Sequence, residues 1–108
     1  MQAIPEDLAK YIDDVRDILP EDAEIYSNAK DEVSIAINGD DASLEVIIYS
    51  AGIMTIRTFR SSELFVSPDI PYNKDDLRGV LSAFLIYINA GKLYNEYIAM
   101  LVNSKKLK

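Results

Sequence analysis

The chain has 108 residues, of which 49% are apolar and 27% charged, a balance that fits one soluble domain over residues 1–108 with its own core and argues against disorder. It contains neither Cys nor His, which excludes a disulfide scaffold, thiolate and imidazole metal sites, and the usual nucleophile–base pairs of catalysis. Its net charge of −7 is unevenly placed: residues 1–45 hold 13 acids against 3 bases, a net −10, and residues 46–108 hold 5 against 8, a net +3.

Pro5, Glu6 and Asp7 open the first predicted element, since proline is tolerated in a first helical turn and acids suit the positive end of the helix dipole. Leu8, Tyr11, Ile12, Val15, Ile18 and Leu19 recur at helical spacing as one buried stripe, and Glu6, Lys10, Asp13, Asp14 and Asp17 fall opposite. Pro20 is expected to end this helix.

From residue 23 the period becomes two. Ile25 and Tyr26 predict a short strand, followed by a turn over Asn28-Ala29-Lys30-Asp31. Val33, Ile35 and Ile37 alternate with Ser34 and Ala36, and Asn38-Gly39-Asp40-Asp41 supplies residues that accept positive φ in a tight hairpin. Leu44, Val46 and Ile48 continue the alternation. Ile47 and Tyr49 make the other side of that strand apolar too, as for a central strand covered on both faces. Ser50-Ala51-Gly52 turns the chain into a fourth strand, Ile53 to Arg60, rich in β-branched residues. Leu64-Phe65-Val66 could form a short edge strand, but Pro68 and Pro71 make residues 61–72 a connection rather than a ladder member, so the expectation is a loop that covers an edge.

Asn73 is the predicted N-cap of a helix with Asp75 and Asp76 in its first turn and Leu77, Val80, Leu81, Phe84, Leu85 and Ile88 as its stripe. A later apolar set, Leu93, Tyr94, Tyr97, Ile98 and Leu101, points about 130° away from the first if one straight helix carries both. Asn89-Ala90-Gly91 lies at the change of phase, so the expectation is a break there and a separate final helix. The tail Lys105-Lys106-Leu107-Lys108 is expected to fray. The resulting expectation is an α+β fold: an antiparallel four-stranded meander sheet with an N-terminal helix and two C-terminal helices.

Two constellations stand out as candidate partner-binding surfaces. Glu6, Asp13, Asp14, Asp17, Glu21, Asp22 and Glu24 form an acidic set fitted to a basic protein surface, whose competing role is a solvated helix face. Duplex DNA carries one charge per about 1.7 Å, so a helix of ~14 residues needs about twelve charges to imitate it. Residues 6–19 hold five, two of them offset by Lys10 and Arg16, so this helix alone falls short, and only the whole acidic half, at −10, would match about 17 Å of duplex. Tyr87, Tyr94 and Tyr97 form the second constellation; with an unbroken helix they join Ile98 and Leu101 in a stripe available to a partner or to a second copy.

Other candidates are weaker. Asp40 and Asp41 lack the further oxygen ligands of a calcium loop. Arg57 and Arg60, three apart in a strand, face opposite sides and do not converge with Ser61 and Ser62 on an anion. The four glycines are scattered, so a phosphate-cradling loop is missing.

The expectation is therefore a small acidic, non-enzymatic cytoplasmic binding protein with no cofactor and no metal. It docks on a basic surface of a larger protein and inhibits or modulates it, without contacting nucleic acid or membrane directly. By analogy of size and charge, inhibitors of nucleic-acid-binding defence effectors such as CRISPR nucleases, and immunity proteins, are of this kind. The alternatives are a small-ligand or nucleotide-binding domain and a homo-oligomeric structural subunit, a homodimer through the C-terminal helices included.

Overall fold

The computed structural model describes residues 4–106. In chain order its elements are α1 (Glu6–Asp13), β1 (Glu24–Tyr26), β2 (Glu32–Asn38), β3 (Ala42–Tyr49), β4 (Ile53–Arg60), β5 (Glu63–Val66), β6 (Ile70–Pro71) and α2 (Lys74–Lys106). The architecture is α+β. The sheet runs β1-β2-β3-β4-β5 with every pair antiparallel, and β6 continues the outer edge of β4 beyond β5.

The period of two sorts the strand residues onto two faces. On one, Val33, Ile48 and Met54 stand abreast, as do Ile35, Val46 and Ile56, and then Ile37 and Leu44. Leu8, Tyr11, Ile12 and Val15 cover this face from the N-terminal segment and Leu77, Leu81 and Phe84 cover it from α2, closing the core. The opposite face carries no helix. Ile47 and Tyr49 on it are only half-buried, so β3 is central in order but not sandwiched as its two apolar sides suggest.

α1 begins as its sequence implies but stops at Asp13, short of Pro20. Val15 N–H and Ile18 N–H donate three residues back, to Ile12 and Val15 carbonyls at 3.0 Å each, so the stripe reaches the core through tight turns. The acids Asp13, Asp14 and Asp17 would crowd the negative end of the dipole in a longer helix. Tertiary bonds to Tyr72 and Arg78 hold the backbone in its turned form instead.

The hairpins differ in chemistry. Gly52, at φ +85°, closes β3 to β4, its N–H donating to Tyr49 C=O at 3.0 Å. Gly39 is not at positive φ, contrary to the hairpin chemistry its neighbours suggest. It is needed for space, since a Cβ there would lie 3.0 Å from Cγ2 of Ile88 on α2.

Residues 61–72 are the first correction to the expected topology, because they add strands rather than a covering loop. Ser61 and Ser62, at φ +52° and +66°, make a two-residue turn of the primed type that matches strand twist. Glu63 to Val66 then pairs with Arg57 to Arg60. Pro68 falls between β5 and β6, and Pro71 lies on the sheet edge, where a missing N–H leaves no ladder bond unmade.

α2 is the second correction. It is one helix of 33 residues, about 50 Å long, capped by Asn73, whose side-chain oxygen accepts from Asp76 N–H at 2.9 Å. Gly91 costs roughly 1 kcal/mol inside a helix, whereas stopping there would orphan four carbonyls and then four amides with no capping residue after it. Residues 89–104 are all exposed and run past the body. The radius of gyration is accordingly 16.9 Å, against about 13 Å for a compact chain of this length. The helix continues through Lys106; Leu107 and Lys108 lie outside the described residues. No helix of the described residues is long and apolar enough to cross a membrane.

Candidate functional site

The acidic set does not gather into one face. Asp17 receives both arms of the Arg78 guanidinium, at 2.8 and 3.1 Å. This charge-assisted fork pulls the Asp17 carboxyl below its ordinary range and raises Arg78 above its own. Arg78 also donates to the Asp14 carbonyl at 2.9 Å, and the Asp14 carboxylate accepts the Tyr72 hydroxyl at 2.7 Å. Partial burial, then that carboxylate, push the Tyr72 phenol well above its usual value. Asp13 is paired with Arg16 at 3.4 Å. A base from the C-terminal portion and a tyrosine thus take up half of what the first helix offers, and Glu6 stands exposed in its first turn.

The remaining acids collect elsewhere. Glu24 begins β1 and accepts from the Asn38 amide at 3.4 Å, next to the β2–β3 hairpin. Asp22 shares with Asp40 and Asp41 a groove of about 820 Å³ at the root of the free part of α2, together with Ile88 and Tyr94. Glu21 is exposed beside it in sequence. No group of three or more carboxylates among the described residues is placed to hold a metal ion.

The uncovered face of the sheet forms a second concavity, of about 340 Å³, lined among others by Glu24, Tyr26, Glu45, Arg57, Phe59 and Leu64. Antiparallel register sets Glu24, Ala36, Glu45, Arg57 and Val66 in one row across all five main strands. Glu45, half-buried at its centre, accepts from the Tyr26 hydroxyl on one side and from Arg57 Nη1, at 3.4 Å, on the other. Phe59, Leu64 and Val66 are exposed on this same face. The charged side chains of its strands are Glu24, Glu32 and Glu45 against Arg57, and Asp69 joins them by accepting from the Thr55 hydroxyl at 2.5 Å, so it is acidic as well as apolar. Sequence inspection passed over Glu45, Tyr26 and Phe59; the alternation Ser43, Glu45, Ile47 in β3 was the available signal.

Arg57 and Arg60 do face opposite sides. Arg60 lies on the helix-covered side with its guanidinium 5.7 Å from the Tyr87 ring, and Tyr87 sits 6.3 Å from Phe84. Tyr87 is therefore partly engaged by the body. Tyr94 and Tyr97 are not, being 66% and 55% exposed on the free part of α2.

Comparison with known proteins adds no relative: no family model, no characterised protein and no solved structure matches this chain.

Proposed function

We propose that this chain is a small acidic, non-enzymatic binding protein that docks on a basic surface of a larger protein and inhibits or modulates it, with the uncovered sheet face as its docking surface. The observation that carries the reading is the composition of that face. Five strands present Tyr26, Tyr49, Phe59, Leu64 and Val66 with three glutamates and one arginine; Phe59, Leu64 and Val66 are exposed and the two tyrosines half-buried. Aromatic and aliphatic side chains supply contact area, while the carboxylates set orientation and favour Lys- and Arg-bearing partners. A protein that uses such a surface to bind nucleic acid is the sharpest form of that partner.

The test is affinity capture from lysate at two ionic strengths with three variants of the docking chain. A basic protein retained at low salt and released near 1 M salt is expected, with Glu24→Lys and Phe59→Asp each weakening retention by about 10-fold or more. Glu6→Lys, on α1, is expected to change it little. Retention indifferent to the sheet-face variants would remove the docking assignment.

A second reading, a small-ligand site, draws on one specific observation. Glu45 is fixed between Tyr26 and Arg57 at the floor of a concavity whose volume lies within the range of small-molecule sites. A thermal shift with a metabolite that Glu45→Gln abolishes would favour it over protein docking.

A further inference from the structure

The free part of α2 presents a surface that the docking face does not use. At about 100° per residue, Ala83, Tyr87, Ala90, Tyr94, Tyr97, Leu101 and Ser104 fall in one seam with alternating spacings of four and three, the repeat that lets two helices interlock. All of them are exposed, and Leu93 and Ile98 flank them. Residues 89–104 contain two charges, Lys92 and Glu96. Both lie on the far side, roughly 140° to 180° from the middle of the seam. A helix that stood alone in water would have no reason to keep its charges off one side.

We infer that two copies of this chain pair through these helices, antiparallel, with Tyr97 near the two-fold axis. Area and charge both argue for a second copy. Leu93, Tyr94, Tyr97, Ile98 and Leu101 are 66, 66, 55, 40 and 37% exposed. At about 200 Å² per large side chain that leaves roughly 500 Å² of apolar surface per copy and about 1,000 Å² per pair, the lower bound for a specific interface.

Direction follows from the ends. The helix runs from an acidic root, where Asp22, Asp40 and Asp41 line the groove, to a terminus whose sequence is Lys105-Lys106-Leu107-Lys108. A parallel pair would set basic end on basic end and acidic body on acidic body. With Tyr97 on the axis, position 104 of one copy stands opposite position 90 of the other, and position 106 opposite position 88. Each basic terminus then comes level with the other copy's acidic groove, and the contact is the same patch used twice, as two-fold symmetry requires.

Sedimentation equilibrium of the full chain between about 1 and 100 μM is expected to approach twice the 12.1 kDa of one copy. Tyr97→Glu places like charges together on the axis and is expected to raise the dissociation constant by about 100-fold or more, with the circular dichroism unchanged. The chain has no Cys, so Ala90→Cys and Ser104→Cys chains, mixed and oxidised, report direction. A mixed 90–104 disulfide supports the antiparallel pair. Efficient cross-linking of Ser104→Cys to itself, a single-copy mass at every concentration, or a dimer indifferent to Tyr97→Glu would each overturn the inference. None of these outcomes touches the sheet face, so docking on a basic partner stands or falls separately.

Discussion

Arg78 is the side chain on which the N-terminal segment turns. Its guanidinium joins the Asp14 carbonyl and the Asp17 carboxylate to the first half of α2, across more than sixty residues of sequence. Asp17 is held below its ordinary 3.8, so on acidification the unfolded chain takes up this proton before the folded one does. The stabilisation it brings is thus complete above the ordinary value and is lost as pH falls through the lowered one. An Arg78→Gln chain has no such contribution to lose. Urea midpoints of the two chains, followed from about pH 6 to pH 2, are expected to differ most at the upper end and to draw together as pH falls below the ordinary 3.8 of Asp17. The gap will be modest because both groups meet solvent; midpoints that stay parallel would mean that the fork contributes nothing to the fold.

Among the elements, β5 and the unbroken α2 show what local sequence leaves open. Strands β1 to β4 are legible because apolar residues alternate and turn residues bracket them, and the first stripe of α2 because Asn73 and the 3–4 spacing announce it. β5 is hidden because its turn uses Ser61-Ser62 where Asn-Gly would signal a hairpin, and because prolines follow it; on an outer edge neither is prohibitive. Replacing Ser61→Asn together with Ser62→Gly relieves two side chains of positive φ and is expected to raise the unfolding free energy by about 1 kcal/mol, read from urea midpoints at constant m. The change of phase at residue 89 was visible too, but not whether the chain would bend to bury its second stripe or leave it bare. The acidic set was legible as composition and not as a surface, since the partners of Asp14 and Asp17 lie in the distant Tyr72 and Arg78.

For the molecule as a whole, the body is expected to fold without the far half of α2. Residues 96–104 are all exposed, so a chain ending after Asn95 is expected to unfold within about 0.5 kcal/mol of the full chain at low concentration. The full chain's melting midpoint should rise with concentration while the shortened one's stays fixed; equal concentration dependence would separate self-association from the helix. Gly39 bears on everything beyond. With Ile88 resting where its side chain would be, it acts as the fulcrum of a stiff rod, and a tilt of about 10° there swings the far tip, roughly 27 Å away, by nearly 5 Å. The aim of this rod therefore depends on how Ile88 seats against the hairpin, since a methyl group added at position 39 would meet its Cγ2 at 3.0 Å.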